Sequence, residues 1–229
     1  MAGTVFERYE LKFFITPDEY TALMEVMQEH MVPDAYPATQ IYSLYYDTDS
    51  CQLIRTSLLT PSYKEKMRIR SYQPVERDEP VFVELKKKYR DVVYKRRVMM
   101  PVALAMHDIE EGTLSDCSQI GKEIRYFIQY YASIHPSMFI GYDRLAFVGR
   151  QDENLRITFD QNMVWRTCDL SLNRSEHDHL ILDDDRILME VKSSGAMPLW
   201  LVAFLSERKI YRTSFSKYGT AYLKEGGTY

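Results

Sequence analysis

Seven stretches of the chain alternate charged and apolar residues with a period of two. Because successive side chains of a β-strand point to opposite faces, this alternation predicts amphipathic strands whose apolar faces pack against a core. The charged faces are mostly cationic and carry few carboxylates, which favours several strands that together line one site for a polyanion. The charged residues concerned are Arg8, Glu10 and Lys12; Lys66, Arg68 and Arg70; Glu84 and Lys86; Lys95 and Arg97; Arg144; Arg156 and Asp160; and Glu190 and Lys192.

A solvated outer face of an antiparallel sheet is the commoner cause of such alternation, and for a single strand this alternative stays open. The sign of the charge argues against it for the whole set. The chain carries a net charge of −4, so an ordinary solvated face would mix both signs or lean acidic. The acidic residues gather instead at 108–111 and 183–185, which are predicted to be loops or exposed helix.

The length and composition fit one domain spanning residues 1–229, because 229 residues with 45% hydrophobic content can bury a sizeable core. The sequence has no leader-like segment and no apolar run of membrane-spanning length, so we expect a cytoplasmic protein with no membrane insertion of its own. The three cysteines, Cys51, Cys117 and Cys168, are far apart and lack metal-ligand spacing. Neither a disulfide framework nor a zinc site is therefore predicted.

The chain contains many strand patterns and few helix signals. Thr16, Pro17 and Glu19 predict a helix with Thr16 as N-cap and Glu19 closing a capping box, ending between residues 30 and 33. Apolar residues at helical spacing between 120 and 131 predict a second helix, and residues 196–209 predict a third. Strands are predicted at 40–48, 64–72, 81–88, 91–99, 138–149, 154–165 and 186–193. This balance predicts an α+β fold.

The chain contains no glycine-rich phosphate-binding motif, so any phosphate ligands must be side chains. Alternate residues of a strand lie about 6.6–6.8 Å apart on one face. Lys66, Arg68 and Arg70 would therefore form a cationic ladder, which suits a phosphate chain. Burying such a ladder without a counter-ion costs several kcal/mol per ion, which predicts that the site binds an anion.

Four carboxylates stand among these cations, namely Glu10, Glu84, Asp160 and Glu190. They could hold a hard divalent cation that bridges phosphate oxygens. Ion pairing with the neighbouring lysines and arginines is an equally good interpretation for all of them except Glu190.

Tyrosine is abundant, with 18 residues, and Tyr42, Tyr45 and Tyr46 stand close together in one predicted strand. Aromatic side chains stack on bases in proteins that bind single-stranded nucleic acid. The chain lacks the overall basic balance of such proteins. We therefore predict that these tyrosines pack within the sheet and that nucleic acid is not a ligand.

From Phe6 to about Tyr222 the chain resembles the VTC-type polyphosphate polymerase domain, a branch of the triphosphate tunnel (CYTH-like) superfamily. The order and combination of the matching segments make the resemblance specific. It implies an antiparallel β-barrel of about eight strands that forms a basic tunnel, with helices packed outside. The matching segments are Phe6–Phe13, Tyr45–Thr48, Lys66–Arg70, Glu84–Lys86, Tyr142–Arg144, Leu155–Asp160, Met189–Lys192 and Phe215–Tyr218.

The resemblance also implies roles for individual residues. Phosphate ligands are expected at Lys12, Arg68, Arg70, Lys86, Lys95, Arg144, Arg156 and Lys217. Glu190 is expected to be the principal ligand of Mn²⁺ or Mg²⁺, with Glu84 as a second candidate, and strand parity adds Arg8, Lys66, Arg97 and Lys192 to the phosphate ligands. Lys12, Arg68, Arg70 and Glu190 form the expected catalytic set.

The implied reaction is transfer of the γ-phosphate of ATP to polyphosphate or to a pyrophosphate primer. Hydrolytic relatives open with Glu-x-Glu-x-Lys, whereas this chain has Arg8, Glu10 and Lys12 at the matching positions, which favours the polymerase branch. Ser214 stands where the polymerases usually have a lysine, so no phosphate ligand is assigned at this position. A membrane partner, if there is one, is expected to be a separate chain.

Two other functions stay open on the sequence. A tunnel hydrolase would pass the phosphoryl group to water, which Glu84 or Glu10 could orient. A non-catalytic polyphosphate or nucleotide sensor would keep the cationic ladder and need no metal.

Overall fold

The computed structural model describes residues 9–59, 62–76, 78–89 and 92–228. Within these residues it has an α+β fold with ten strands and six helices. In chain order they are β1 (Tyr9–Ile15), α1 (Pro17–His30), β2 (Met31–Asp47), α2 (Gln52–Leu59), β3 (Tyr63–Ser71), β4 (Pro80–Tyr89), β5 (Val92–Pro101), α3 (Val102–Glu110), α4 (Gln119–Tyr130), β6 (His135–Gly149), β7 (Arg156–Arg166), β8 (His179–Leu180), β9 (Ile187–Ser193), α5 (Leu199–Glu207), β10 (Arg212–Thr213) and α6 (Lys217–Lys224).

The strands pair in the order β10-β1-β9-β7-β6-β2-β3-β4-β5, with β8 beside β7. The registered pairs are antiparallel, which confirms the predicted sheet type. Eight strands have seven or more residues, as expected for about eight strands, while β8 and β10 have only two each. Among the described residues no hydrogen-bonded pair joins β10 to β5. The predicted closure into a barrel with a tunnel is therefore not confirmed.

The chain divides into two compact units, each with its own apolar core. The first unit comprises residues 1–39, 142–163 and 182–215, and the second comprises residues 40–141, 164–181 and 216–229. The expectation of a single domain over residues 1–229 stays a prediction.

In the first unit the apolar faces of β1, β7 and β9 pack against α1 and α5. Ile15, Leu23, Ile157 and Leu201 are fully buried in this core. Each such side chain contributes about 1.5–3 kcal/mol relative to an exposed one. Helix α1 begins as predicted, because the Glu19 N–H donates to Thr16 Oγ1 (3.2 Å) while the Thr16 N–H donates to Glu19 Oε2 (2.8 Å). The opposite face of the strands is left to the charged residues.

In the second unit the apolar faces of β2–β5 pack with helices α3 and α4. Leu44, Met67, Ile69 and Val83 are fully buried, together with Ile124 of the predicted second helix. The alternation predicted for β3 and β4 is confirmed, since their odd-numbered apolar residues from 67 to 85 form this core. The even-numbered charged residues lie on the other face.

A buried arginine fixes the irregular segment 169–178 of the second unit. The Arg166 side chain is fully buried and lies 3.8 Å from the ring centroid of Phe139. Its guanidinium donates to the carbonyls of Asp169 (2.7 Å) and Asn173 (2.9 Å) and to Asp178 Oδ1 (2.5 Å). Because these bonds satisfy its donors, Arg166 is a structural residue and not a free cation.

Helices α2, α3 and α6 were not predicted, and β2 begins at Met31 instead of residue 40. The N-terminus of α2 is capped from a distance, since the Leu53 and Ile54 N–H groups donate to Asp47 (2.8 and 2.9 Å). Helix α3 has no side-chain cap. The local signals on which helix prediction depends are therefore weak or missing at the starts of α2 and α3, whereas α6 has Ser216 as a side-chain cap. No helix within the described ranges is long and apolar enough to cross a membrane.

Candidate functional site

The second unit carries a charged group on the non-core face of β3, β4 and β5, which we name the cationic cluster. Its members are Lys66, Arg68, Arg70, Glu84, Lys86, Lys95 and Arg97. The register places them in rows across the sheet, because Arg68, Glu84 and Arg97 are successive cross-strand partners. Lys66, Lys86 and Lys95 form the next row. Among the described residues the cluster therefore sets six cations against one carboxylate.

Glu84 stands at the centre of this cluster and is 1% exposed. Its Oε2 accepts from Arg68 Nε (2.9 Å) and Nη2 (2.7 Å), and its Oε1 lies 2.6 Å from Lys95 Nζ. Arg70 and Arg97 each approach the carboxylate to 4.0 Å. Burial by itself raises the pKa of Glu84. The charges of Arg68 and Arg70 and the hydrogen bond from Lys95 outweigh burial and lower that pKa to about 2. Glu84 is therefore ionised at neutral pH.

Neutral oxygens hold the cations in place. Arg68 Nη1 donates to the Tyr45 hydroxyl (2.9 Å), and Arg70 Nε donates to Ser43 Oγ (3.1 Å). Lys66 Nζ donates to Ser216 Oγ (2.8 Å), the same hydroxyl that caps α6. These contacts orient the cations without neutralising them. A group of fixed side chains with excess positive charge is suited to bind an anionic ligand.

Consecutive cations in the runs 86–87 and 95–97 point to opposite faces of the sheet. Lys87 pairs with Glu65 (2.8 Å) and Arg96 pairs with Glu123 (2.5 Å), both on the opposite face of the sheet. Lys86 lies in the cluster row described above. Lys217 is the first residue of α6, directly after the capping Ser216. Lys86, Lys95 and Arg97 are thus brought to one face.

The first unit carries a second charged group, which we name the balanced cluster. Its members are Glu10, Lys12, Arg144, Asp160, Glu190 and Lys192. The register opposes each carboxylate of the β1–β9 pair to a lysine, since Glu10 faces Lys192 and Lys12 faces Glu190. Three cations meet three carboxylates, so the group is close to neutral.

Arg144 makes the closest ion pair of the balanced cluster. Its Nε and Nη2 donate to the two oxygens of Asp160 (2.6 and 2.7 Å), and Nη2 also reaches Glu190 Oε2 (3.3 Å). Burial by itself lowers the pKa of Arg144. The charges of Tyr142, Asp160 and Glu190 outweigh burial and raise that pKa well above its usual value. Asp160, which is fully buried, is therefore a structural partner of Arg144.

Lys12 links the remaining carboxylates of the balanced cluster. Its Nζ lies 3.5 Å from Glu190 Oε1 and 3.7 Å from Glu10 Oε1, and it donates to the Phe215 carbonyl (2.9 Å). Lys192 Nζ lies 4.0 Å from Glu10. Ion pairing, the alternative to metal binding, thus accounts for the contacts of Glu10, Glu84 and Asp160.

Glu190 is the carboxylate expected from the sequence to hold a divalent cation, and its two oxygens lie 3.5 Å from Lys12 Nζ and 3.3 Å from Arg144 Nη2. It is 7% exposed, and its register partner Thr158 has a buried hydroxyl with no hydrogen-bond partner among the described residues. The described part of the chain contains no group of three or more histidine, cysteine or acidic side chains arranged for a metal. Mg²⁺ is commonly held by one or two carboxylates together with substrate phosphates. The residues present therefore fit a metal ion that arrives with phosphate.

One predicted ligand lies apart from these contacts, and another falls outside the described residues. Arg156 is cross-strand partner of Lys192, but its guanidinium pairs with Asp34 at 2.8 Å. Arg8 lies outside the described residues.

Sequence reasoning missed the neutral oxygen ligands of the cations. Ser43 and Tyr45 are cross-strand partners of Arg70 and Arg68. Their spacing of two in the aromatic strand was a usable signal, because it places both on one face with the cationic ladder.

Two solved structures with low similarity to this chain come from different organisms. A protein from Pyrococcus horikoshii OT3, PH1819, is similar at 12% identity and a TM-score of 0.45, covering 95% of this chain and 99% of that chain. The Schizosaccharomyces pombe Mediator head module is similar at 8% identity and a TM-score of 0.42, covering 88% and 90%. These values establish neither a shared fold nor a shared function.

The family comparison is decisive where the others are not. No curated protein matches the chain. The family model of the VTC domain matches residues 7–224, nearly the whole chain, and so includes every described member of both clusters. The chain therefore belongs to the VTC domain family, which is associated with polyphosphate metabolism.

Proposed function

We propose that the protein is a polyphosphate polymerase that transfers the γ-phosphate of ATP to the end of a growing polyphosphate chain. The observation that carries this proposal is the cationic cluster, in which four cations on adjacent strands share a single carboxylate. Membership of the VTC domain family supports a polyphosphate-related function, and the polymerase reaction is the finer step proposed here.

Phosphoryl transfer requires mainly positioning and charge neutralisation, which cations on rigid strands can supply. Arg68 and Arg70 present forked guanidinium groups that suit phosphate oxygens, while Lys95 supplies a point charge. Their hydrogen bonds to Tyr45, Ser43 and Glu84 hold these groups in place before a ligand binds. The same residues would bind the phosphates of ATP and of the acceptor.

The balanced cluster of the first unit carries the expected metal ligand. Glu190 would hold Mn²⁺ or Mg²⁺ together with phosphate oxygens, and the metal would neutralise part of the charge on those phosphates. Lys12 and Arg144 already contact Glu190 at 3.5 and 3.3 Å and would bind phosphate oxygens beside it. Phosphates in this cluster would take over part of the role that the carboxylates now play.

The proposed step conserves atoms and charge without a general base. The bond between the γ-phosphorus and the β–γ bridging oxygen of ATP breaks, and ADP leaves with that oxygen. A terminal oxygen of the acceptor phosphate, already ionised, forms the new bond to phosphorus. No proton has to be removed, so the site needs no free carboxylate.

The contacts of Glu84 favour a polymerase over a hydrolase. A hydrolase needs a carboxylate that orients and deprotonates water. Glu84 is engaged by Arg68 and Lys95 on both oxygens, and its pKa of about 2 makes it a weak base. Glu10, the other candidate, is paired with Lys12.

The product of the reaction tests the proposal. Purified protein is incubated with γ-labelled ATP, Mn²⁺ and pyrophosphate, and phosphate, ADP and polymer are separated on a gel. We expect a ladder of polyphosphate chains that is lost in Glu190→Ala and kept in Glu123→Ala, which removes a carboxylate on the opposite face of the sheet in the second unit. Labelled phosphate without polymer would identify a hydrolase, and no turnover despite binding would leave a sensor.

A further inference from the structure

Tyr45 is a buried phenol in direct contact with the cationic cluster. It is 7% exposed, and its hydroxyl accepts a hydrogen bond of 2.9 Å from Arg68 Nη1. Its ring stacks on Tyr218 at 4.5 Å between centroids and 22° between planes. The Arg68 guanidinium also lies 5.6 Å from the Tyr45 ring centroid. Both the ring and the hydroxyl are therefore fixed.

The surroundings of Tyr45 favour its ionised form to an unusual degree. Burial by itself raises the pKa of a phenol. The charges of Arg68, Arg70 and Lys66, with the hydrogen bond from Arg68, outweigh burial and lower the pKa of Tyr45 to about 7. The neighbouring Tyr218 behaves oppositely, because burial and the charge of Asp47 raise its pKa well above the usual value. Tyr45 is thus the phenol of this pair that ionises near neutral pH.

The charged and titratable groups around Tyr45 come from four elements. They are Lys66, Arg68 and Arg70 of β3, Glu84 of β4, Lys95 of β5, and Tyr218 of α6. Asp47 of β2 lies on the far side of Tyr218 and accepts from its hydroxyl (2.9 Å), so Glu84 is the carboxylate that shares cations with a Tyr45 phenolate.

We propose that Tyr45 is a positioning residue of the cationic cluster. Its phenol releases its proton to solvent while no phosphate is bound and takes a proton back when phosphate oxygens bind the same cations. The proposal rests on the phosphate-binding role proposed above. It extends that role, because it links occupancy of the cluster to one protonation event at a named hydroxyl. In either state the Tyr45 oxygen accepts the hydrogen bond from Arg68, so the Arg68 guanidinium keeps its orientation.

The direction of the coupling follows from charge. Bound phosphate adds negative charge beside Tyr45 and satisfies Arg68, so it returns the phenol towards its ordinary pKa of about 10. Below neutral pH the phenol is already protonated and binding takes up no proton. Above neutral pH each binding event must take up one proton. The affinity for phosphate therefore falls by up to about tenfold for each pH unit in this range.

Tyrosinate has its own ultraviolet absorbance band, which makes the proposal directly testable without catalysis. The wild-type protein is titrated through neutral pH with and without tripolyphosphate, in the absence of divalent metal. We expect one tyrosine to ionise with a pKa of about 7 in the free protein. Saturating tripolyphosphate should suppress this band at the same pH, and Tyr45→Phe should remove it.

Calorimetry with tripolyphosphate gives the matching affinity data. The chain offers a control in Tyr46→Phe, because Tyr46 is the adjacent residue of β2, is buried, and has a hydroxyl without a partner among the described residues. We expect the affinity of wild type and Tyr46→Phe to fall together as pH rises above neutral, with proton uptake. Tyr45→Phe should lose this fall relative to both. Titration of tripolyphosphate itself is common to all three proteins and cancels.

The outcomes separate this inference from the proposed function. The ionisation of Tyr45 is overturned if wild type shows no tyrosinate band near neutral pH, or if the band survives in Tyr45→Phe. A Tyr45-dependent band that bound tripolyphosphate leaves unchanged overturns the coupling alone. If calorimetry detects no binding of tripolyphosphate, the proposed phosphate site fails and the coupling fails with it, whatever the band of the free protein.

Discussion

The balanced cluster and the cationic cluster are built from the same residue types but differ in their charge balance. In the first, Arg144 and Asp160 form a two-pronged ion pair and each lysine faces a carboxylate across the β1–β9 pair. In the second, one carboxylate, Glu84, is shared by four cations. A paired group can be stable by itself, whereas a group with excess charge is stabilised by a ligand. The difference suggests that phosphate affinity lies mainly in the cationic cluster.

The largest effect is expected from breaking the buried pair of the balanced cluster. The side chains of Arg144 and Asp160 are 16% and 0% exposed. Asp160→Asn should lower the free energy of unfolding by about 3–5 kcal/mol, because it leaves a buried charge without its partner. Denaturation in urea measures this. The matched control is Asp34→Asn, which breaks the more exposed Arg156–Asp34 pair and should cost about 1 kcal/mol or less. Equal losses in the two variants would contradict the distinction.

The second prediction concerns Glu84, whose loss should be repaired by a ligand. Glu84→Gln should lower the free energy of unfolding by about 3 kcal/mol, since Arg68 and Lys95 then lose the carboxylate closest to them. Tripolyphosphate should recover most of that loss and stabilise the variant more than the wild type. Glu65→Gln is the control, because Glu65 is also buried but pairs with Lys87 on the opposite face. Recovery of Glu65→Gln by tripolyphosphate would show that the effect is not specific to the cluster.

The stability of the wild-type protein in acid also depends on Glu84. The pKa of Glu84 is about 2 in the folded protein against 4.5 for the unperturbed group. Its contribution, about 3 kcal/mol, is therefore fully present above pH 4.5 and is lost as the pH falls through 2. Glu84→Gln should lack this part of the acid dependence. A variant that follows the wild-type acid curve would exclude Glu84 as the source.

The next prediction compares two adjacent arginines that point to opposite faces of β5. Arg97 belongs to the cationic cluster, whereas Arg96 pairs with Glu123. Arg97→Ala should weaken tripolyphosphate binding about tenfold, the effect of losing one charge-assisted contact of roughly 1.4 kcal/mol. Arg96→Ala should leave the affinity nearly unchanged. Calorimetry on the two variants decides which face of the sheet binds phosphate.

The alternation of charged and apolar residues predicted the strands and the sides of the sheet, because period two needs only local sequence. It assigned Arg97 and not Arg96 to the cationic face by parity alone, and a slip of one residue in the register would have exchanged the two. Glu84 was open between metal ligand and ion-pair partner, and its four cationic neighbours come from two other strands. The role of Tyr45 was hidden for the same reason: its partner Arg68 is 23 residues away in the chain. Capping of α2 by Asp47 likewise depends on a contact outside the helix.

The smallest effects are expected at two hydroxyl groups that differ in whether they have a partner. Thr158, cross-strand from Glu190, has a buried hydroxyl without a partner among the described residues, whereas Ser43 Oγ accepts from Arg70 at 3.1 Å. Removing a buried hydroxyl that has no hydrogen-bond partner leaves the free energy of unfolding nearly unchanged or raises it. Removing an acceptor lowers it, because the donor loses its hydrogen bond. Thr158→Val should therefore change the free energy of unfolding by less than about 1 kcal/mol, or raise it, and Ser43→Ala should lower it by about 1–2 kcal/mol. If Thr158→Val is instead the more destabilising of the two, the Thr158 hydroxyl has a partner such as a buried water, and the balanced cluster is better satisfied than its side-chain contacts indicate.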